Sequence, residues 1–517
     1  MTQVSQPSTT VNITSAVTQV ANEAQKLLFI GQKNAIGTAT PGALIPGIQN
    51  DNSWNTLFGI DSMLAAMIRS ARLLNDVSEF DAIALADNGS GVAATGTMTV
   101  TGAATADGTF TVTVGSQQNS TNTVTVTSGD SVTVVASAIA AAITATQPRP
   151  VSAGSTAGVV TITAINDGTY GNSLGLEIVG AVAGISIAIV AMASGANDPV
   201  LTAVFDVVGD TRYQGVVWPY PDDTSVVRTF LDARFNVDDD VLDGVAFTSK
   251  TDTLANLQST YSALNSQSLL VIGDEVTNET LLKNAPSVFE IPAVKASEFA
   301  AIRALRLTAG ASVAQFLAGE AGLDSFGGPA LASRPYFNTP FPNIPISVQG
   351  RGFTKVEVES LFDDGVSVMG NNRAANSIIM GEAVTTYKTD TAGNPDQAFK
   401  FLNFVDTASG AREFFVNNLN SRFAQSRLTE GDLVPGRPMA NAQLILSTLT
   451  EFYTTLSGSE FSLTQSGETA RSTFISNTTV TIDLATGLAT ILMNNVPLVS
   501  QLRTFNATMR ITFSANG

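Results

Sequence analysis

The sequence predicts a multidomain protein of mixed class: an α/β sandwich domain interrupted by a β-rich insertion, then an α+β C-terminal domain, with extended arms at both termini. Three observations predict it. The chain has 517 residues, several times the roughly 100–200 of a single domain. Its middle alternates between helix-period and strand-period segments, the pattern of layered α/β structure. Near residue 87 the composition turns abruptly to Gly, Thr and Val, and it turns back near residue 195.

Taken in order, residues 1–24 are a polar arm in which Val11 and Ile13 alternate with Asn12 and Thr14. The α/β domain is assigned to residues 25–86 and 196–345. It opens on the apolar run Leu27-Leu28-Phe29-Ile30, a Gly/Pro loop over 31–47, and a helix over 61–74 with Ser62, Leu64, Ala65, Met67, Ile68, Ala71 and Leu74 on one stripe. The insertion, residues 87–195, carries short alternations such as Thr109-Phe110-Thr111-Val112-Thr113-Val114 and one helix in which Val135, Ile139 and Ile143 recur every fourth residue. The apolar stretch 178–193 reads as buried strand, since Gly180, Gly184 and Ser186 interrupt it and it falls short of the roughly 20 residues of a membrane span.

After residue 195 strands are predicted at 215–218, 241–247 and 268–272, and helices at 224–235, 253–264 and 295–307. The early strand is expected to join their sheet. A Pro-rich passage over 329–345 marks a boundary. The C-terminal domain, 346–517, contains helices over 412–427 and 440–456, a hairpin at 478–482 and 488–493, and a terminal strand over 504–514. In that strand Phe505, Ala507, Met509, Ile511 and Phe513 alternate with polar residues.

Composition excludes much chemistry. There is no Cys and no His, which removes disulfides, Cys/His zinc sites, thiol nucleophiles and histidine-based triads. A net charge of −18 opposes phosphate backbones and anionic lipid, so neither direct nucleic-acid binding nor membrane insertion is expected. The first residues hold no basic cluster ahead of an apolar core, so no secretory signal is expected. Only 14% of residues are charged, and a surface rich in Thr, Ser, Asn and Gln loses little hydration on contact with other protein.

The surviving motifs are weak. Lys33 precedes Gly37, and Pro41 and Pro46 follow, so the loop 31–38 lacks the Gly-Lys-Ser/Thr order of a phosphate cradle. The acidic run 236–244 lacks the Gly and the terminal Glu of a calcium loop and reads as a helix-to-strand turn. Asp222 and Asp223 read as charges at the N-terminus of the helix that follows. Asp363-Asp364 offers one half of a carboxylate pair with no second half in view. No catalytic, cofactor-binding or metal residue is assigned, no cofactor is expected, and no enzymatic activity is expected.

The stretch Leu27-Leu28-Phe29-Ile30-Gly31-Gln32-Lys33, followed by Gly37-Thr38-Ala39, Leu57-Phe58-Gly59 and Ser62-Met63-Leu64-Ala65-Ala66-Met67, resembles the N-terminal signature of contractile (myophage) tail sheath proteins. Glu382-Ala383-Val384-Thr385-Thr386-Tyr387, then Gly393-Asn394-Pro395-Asp396 and the helix around Arg412-Glu413-Phe414-Phe415, is similar to the region that family shares most. Glu382 departs from it by standing where the family has Arg.

The resemblance implies a structural subunit of the virion tail, assembled in the host cytoplasm. It would polymerise with itself as stacked hexameric rings around a tail tube protein, meet baseplate and tail terminator proteins, and contract to drive the tube through the host envelope during genome delivery. The C-terminal region would lie nearest the tube and the insertion outermost, with the arms adding strands to neighbouring sheets. Val11, Ile13, Phe505, Ala507, Met509, Ile511 and Phe513 would then be intersubunit arm residues. Arg412, Arg422 and Arg427 would face an acidic tube or form a solvated helix face. The sheath of a phage-derived injection machine is the first alternative, and a carboxylate-dependent surface enzyme the more remote one.

Overall fold

The structure, a computed structural model, describes residues 25–49, 51–115, 122–145, 147–235, 241–308, 336–344, 351–372, 377–458, 463–494 and 496–499. The chain begins with β1 (Lys26–Gln32), β2 (Leu44–Ile45), α1 (Met63–Leu74) and β3 (Glu79–Leu85). The Gly/Thr/Val-rich stretch forms β4 (Ala93–Thr101), β5 (Gly108–Val114), β6 (Asn122–Val126), α2 (Val132–Ala145), β7 (Val151–Thr156), β8 (Val159–Asp167), β9 (Leu176–Val179) and β10 (Ser186–Ala193). Beyond it run β11 (Gly215–Val217), α3 (Ser225–Asp232), β12 (Val245–Asp252), α4 (Leu254–Tyr261), β13 (Leu269–Glu279), β14 (Leu282–Pro286) and α5 (Pro292–Leu307). The last part holds β15 (Pro340–Phe341), α6 (Lys355–Asp363), β16 (Val366–Asn372), β17 (Ser377–Met380), α7 (Leu402–Phe423), β18 (Arg427–Leu428), β19 (Met439–Ala440), α8 (Ala442–Leu456), α9 (Glu468–Ser476), β20 (Thr478–Asp483) and β21 (Leu488–Met493).

The central sheet is parallel in the order β3-β1-β11-β12-β13-β16, with β2 antiparallel at its edge. Parallel strands are covered on both faces and read as unbroken apolar runs. Leu27, Leu28, Phe29 and Ile30 are all fully buried, as that rule requires. From β1 the chain steps one way to β3, then the other way through β11, β12 and β13. Right-handed crossovers in opposite directions put α1 on one face and α3 and α4 on the other. Side chains agree: Phe247 meets Phe299 of α5, which packs with α1, while Gly273, of opposite parity to Leu270, the partner of Phe247, faces Leu257 of α4.

The Gly/Thr/Val-rich stretch makes an antiparallel sheet β10-β4-β8-β7 and a second ladder β9-β5-β6, which β14 joins to the central sheet. Along β4 and β8 every second residue is buried, with Met98, Val100, Val160 and Ile162 facing in. One contiguous apolar cluster runs through this stretch and the α/β layers. A second, smaller cluster is built from Phe414, Phe415, Ile445, Leu449, Phe452, Tyr453, Leu456 and Phe474 of α7, α8 and α9.

Helix α5 is buried on all sides from Pro292 to Arg306, charged residues included. Buried charges need partners. Lys295 Nζ lies 2.5 Å from Asp274 Oδ2, whose carboxylate also accepts from the Ser287 hydroxyl and the Val288 amide. Arg303 and Tyr336 both donate to Asp406 of α7, at 2.6 Å each. Glu298 accepts from the Ser70 hydroxyl of α1, and its second oxygen has no hydrogen-bond partner.

Several expectations change. The stretch 178–193 is not one buried strand: Gly180 and Gly184, at φ +104° and +85°, turn the chain between β9 and β10. Strand β10 is an edge with an outward face, on which Val190 is 60% exposed. The helix expected from 412 begins at Leu402, because burial by Arg303 and Tyr336 overrides the polar Asp406-Thr407 pair that breaks its apolar stripe. Asp222 pairs with Lys250 instead of the following helix, and Thr224 takes the N-cap position. Within the Pro-rich passage Pro340–Phe341 pairs antiparallel with β17.

Candidate assembly site

In a doubly wound sheet the default ligand site is the crevice at the carboxyl ends of the strands where their order reverses. Here that point lies between β1 and β11, and the chain fills it itself. The N-terminus of α1, where a phosphate would sit in a nucleotide-binding fold, is taken from two sides. Ser62 Oγ caps the Ala65 amide, and Asn166 Oδ1, at the end of β8, accepts from the Met63 amide at 2.9 Å. Asn166 Nδ2 donates to Lys33 O and Asp87 Oδ1, and fully buried Gln32 donates to Asp87 Oδ1 and Asp167 O. Burial and the nearby Asp87 charge raise the Asp167 carboxyl above its ordinary range. Lys33 turns its ammonium onto Gly37 O and Asn34 O of its own loop.

The remaining acidic candidates are likewise engaged within the chain. Asp363 holds Lys400 at 3.1 Å, and Asp364 accepts from Gln258 at 2.9 Å. Residues 236–240 of the acidic run lie outside the described residues. Its end, Asp243, is 5% exposed and accepts from Ser409 and Arg412. Among the described residues no cluster of three acidic side chains could hold a metal ion, and no helix is long and apolar enough to cross a membrane.

Val11, Ile13, Phe505, Ala507, Met509, Ile511 and Phe513 lie outside the described residues. The three arginines are not brought together. Arg412 is half-buried and pairs with Asp243 at 2.8 Å. Arg422 is exposed and pairs with Glu451 of α8 at 3.0 Å. Ten residues apart on one helix, the two project about 80° apart in direction. Arg427 is exposed in the short parallel ladder β18–β19.

Two features of the C-terminal region were not visible in the sequence. A groove of about 710 Å³ runs beside α7, lined on one side by Phe235, Asp243 and Phe399 and on the other by Phe415, Leu419 and Met493. The hairpin β20–β21 pairs with no other strand among the described residues, which leaves both its edges open within that set. One face of the hairpin packs on the second core through Val480, Ala489 and Ile491, and open strand edges of this kind are templates for a further strand.

By sequence, the chain is 25% identical over 453 residues to the Mu-like prophage FluMu tail sheath protein of Haemophilus influenzae, a match covering 86% of this chain and 85% of that protein. No protein-family profile matches it. In fold it is similar to the sheath tail protein of Listeria innocua, with TM-score 0.43 and 10% identity over 92% of this chain and 93% of that one. It is also similar to the helical sheath of the anti-feeding prophage in its contracted state, with TM-score 0.46 and 10% identity over 99% of both. The similarity to a tail sheath protein thus spans 86% of this chain, and it agrees with the resemblance carried by the motif order from the first strand to α7.

Proposed function

We propose that the protein is the sheath subunit of a contractile phage tail, polymerising with itself around an inner tube and contracting to drive that tube through a cell envelope. The observation that carries this reading is the match to a tail sheath protein over 86% of this chain. Three features support the mechanical role. The crevice where a doubly wound fold would bind a ligand is packed with Asn166, Gln32 and Asp87. The β20–β21 hairpin offers two open edges on which extended arms of neighbouring copies can add strands, with main-chain hydrogen bonds giving affinity and alternate side chains giving register. Residues 402–517 hold seven Arg, no Lys and eight Asp or Glu, so nearly all of the −18 charge lies earlier in the chain. A near-neutral C-terminal unit suits close approach of many identical copies, and the acidic remainder suits the solvent side.

In this reading the arms are Val11 to Thr14 and Phe505 to Phe513, the exchange is heterologous, and repetition yields stacked rings instead of a closed dimer. Tube, baseplate and terminator proteins are the further partners, and of the three arginines singled out in the sequence Arg422, in an exposed pair with Glu451, and Arg427 are the ones on the surface that could meet an acidic tube. Electron microscopy of purified full-length protein tests the reading beside a truncation lacking residues 505–517. Hollow tubes from the full chain and dispersed, folded particles from the truncation are expected. Dispersed particles from both at high concentration would refute self-assembly, and tubes from both would refute the arm assignment.

A further inference from the structure

Helix α7 belongs to both cores. Leu402 and Val405 lie in the first cluster, and Ala411, Phe414 and Phe415 in the second. Its first half is pinned: Asp406, 4% exposed, receives Arg303 and Tyr336, both buried. One turn later come Ser409 and Gly410. Glycine is the poorest helix former after proline, and nothing near Gly410 among the described residues demands its lack of a side chain. Among those residues a Cβ there would meet only Leu463 Cδ1, at an ordinary 3.7 Å. The residue that weakens the helix therefore sits where the helix leaves one core and enters the other, at a site an alanine would fit. Ser-Gly pairs are among the few sequence causes of helix kinks.

The second attachment is of another kind. Ser409 Oγ and Arg412 both donate to Asp243, while Arg212 donates to Ser409 Oγ and pairs with Glu413 at 2.8 Å. Arg212 and Asp243 belong to the loops before β11 and β12, and Arg212, Arg412 and Glu413 keep 15–28% of their side chains exposed. Asp243 itself keeps only 5% of its side chain exposed, but the cations that meet it reach water and can be solvated on release, unlike Arg303 at Asp406, where the two side chains keep 5% and 1% exposed. On the same side the two bodies diverge around the groove beside α7.

We propose that Ser409–Gly410 is a hinge on which the C-terminal unit swings relative to the α/β body, with Asp406 as its fixed pin and Asp243–Arg412 as a releasable latch. In a sheath such a hinge lets the C-terminal unit keep its lattice contacts while the body reorients. That use rests on the sheath reading, whereas the hinge itself does not.

The chain has no Cys, so two introduced cysteines take spin labels uniquely. Val356→Cys on α6 and Leu488→Cys on the hairpin, 75% and 57% exposed in the parent, report one body each. Pulsed electron paramagnetic resonance on unpolymerised protein then reads the distance between them. A kink of about 20° moves a label ~20 Å from the hinge by about 7 Å. Asp243→Ala is expected to shift or broaden the distribution on that scale, and Gly410→Ala added to it is expected to narrow the distribution again. Should Asp243→Ala not fold by circular dichroism, Arg412→Gln takes its place. A distribution unchanged by latch removal, or unaffected by the added alanine, overturns the hinge and leaves the sheath reading standing. Hinged protein that never forms tubes does the reverse.

Discussion

Glu298 shows at single-residue scale how this protein tolerates charge inside. It sits on the fully buried helix α5, with Ser70 as partner on one oxygen and none on the other. Burial, helped by the Glu290 charge and opposed by the Ser70 bond, pushes its carboxyl up to about 8 from an ordinary 4.5. Between those pH values the unfolded chain gives up the proton and the folded chain keeps it. The contribution to stability is therefore full below about pH 4.5 and is lost as pH rises toward 8, by at most about 1.4 kcal/mol per pH unit. Glu298→Gln keeps the shape and removes the titration. Chemical denaturation at pH 5 and pH 8.5 is expected to give a smaller loss of stability with pH for the variant than for the parent, and equal losses would disprove the assignment.

Among the elements, those with strong periodicity were legible and those held by distant partners were not. The runs of β1, α1, α8 and the β20–β21 hairpin carry their own signals: an unbroken apolar strand, an apolar stripe behind the Ser62 cap, the Asn441 cap whose side chain receives the Leu444 amide, and Thr/Val alternation. The first half of α7 carries none, because Asp406 and Ser409 are polar and Gly410 is a poor helix former. It folds as helix because Arg303, 103 residues earlier, and Asp243, 166 residues earlier, hold its polar side chains. For the same reason Arg412 read as a surface cation although it is joined to Asp243 across 169 residues. The second core makes its own prediction. Leu449 on α8 is fully buried in it, so Leu449→Ala should cost about 2–5 kcal/mol. Because that cluster is separate from the first, calorimetry should show the loss as an earlier transition of the C-terminal unit, with the main transition little moved.

For the whole molecule the dominant quantity is charge. Copies carrying −18 each repel one another, and repulsion between exposed charges fades as the Debye length falls from about 30 Å at 0.01 M salt to about 8 Å at 0.15 M. If near-neutral C-terminal surfaces and strand pairing hold the polymer, raising ionic strength over that range is expected to lower the protein concentration at which sedimentable tubes first form. A rise would mean that intersubunit ion pairs dominate the lattice.

The residue that plugs the central crevice ties the Gly/Thr/Val-rich strands to the parallel sheet. Asn166 anchors the end of β8 on the first turn of α1 and on the loop after β1, so the excursion between β3 and β11 is keyed into the chassis instead of hung from it by two flexible tethers. Cutting it away would strip a helix terminus of its partner and leave Gln32 and Asp87 facing a void. A load applied to that excursion passes directly into the parallel strands, and the slot where doubly wound sheets generally bind ligands is spent here on a rigid mount.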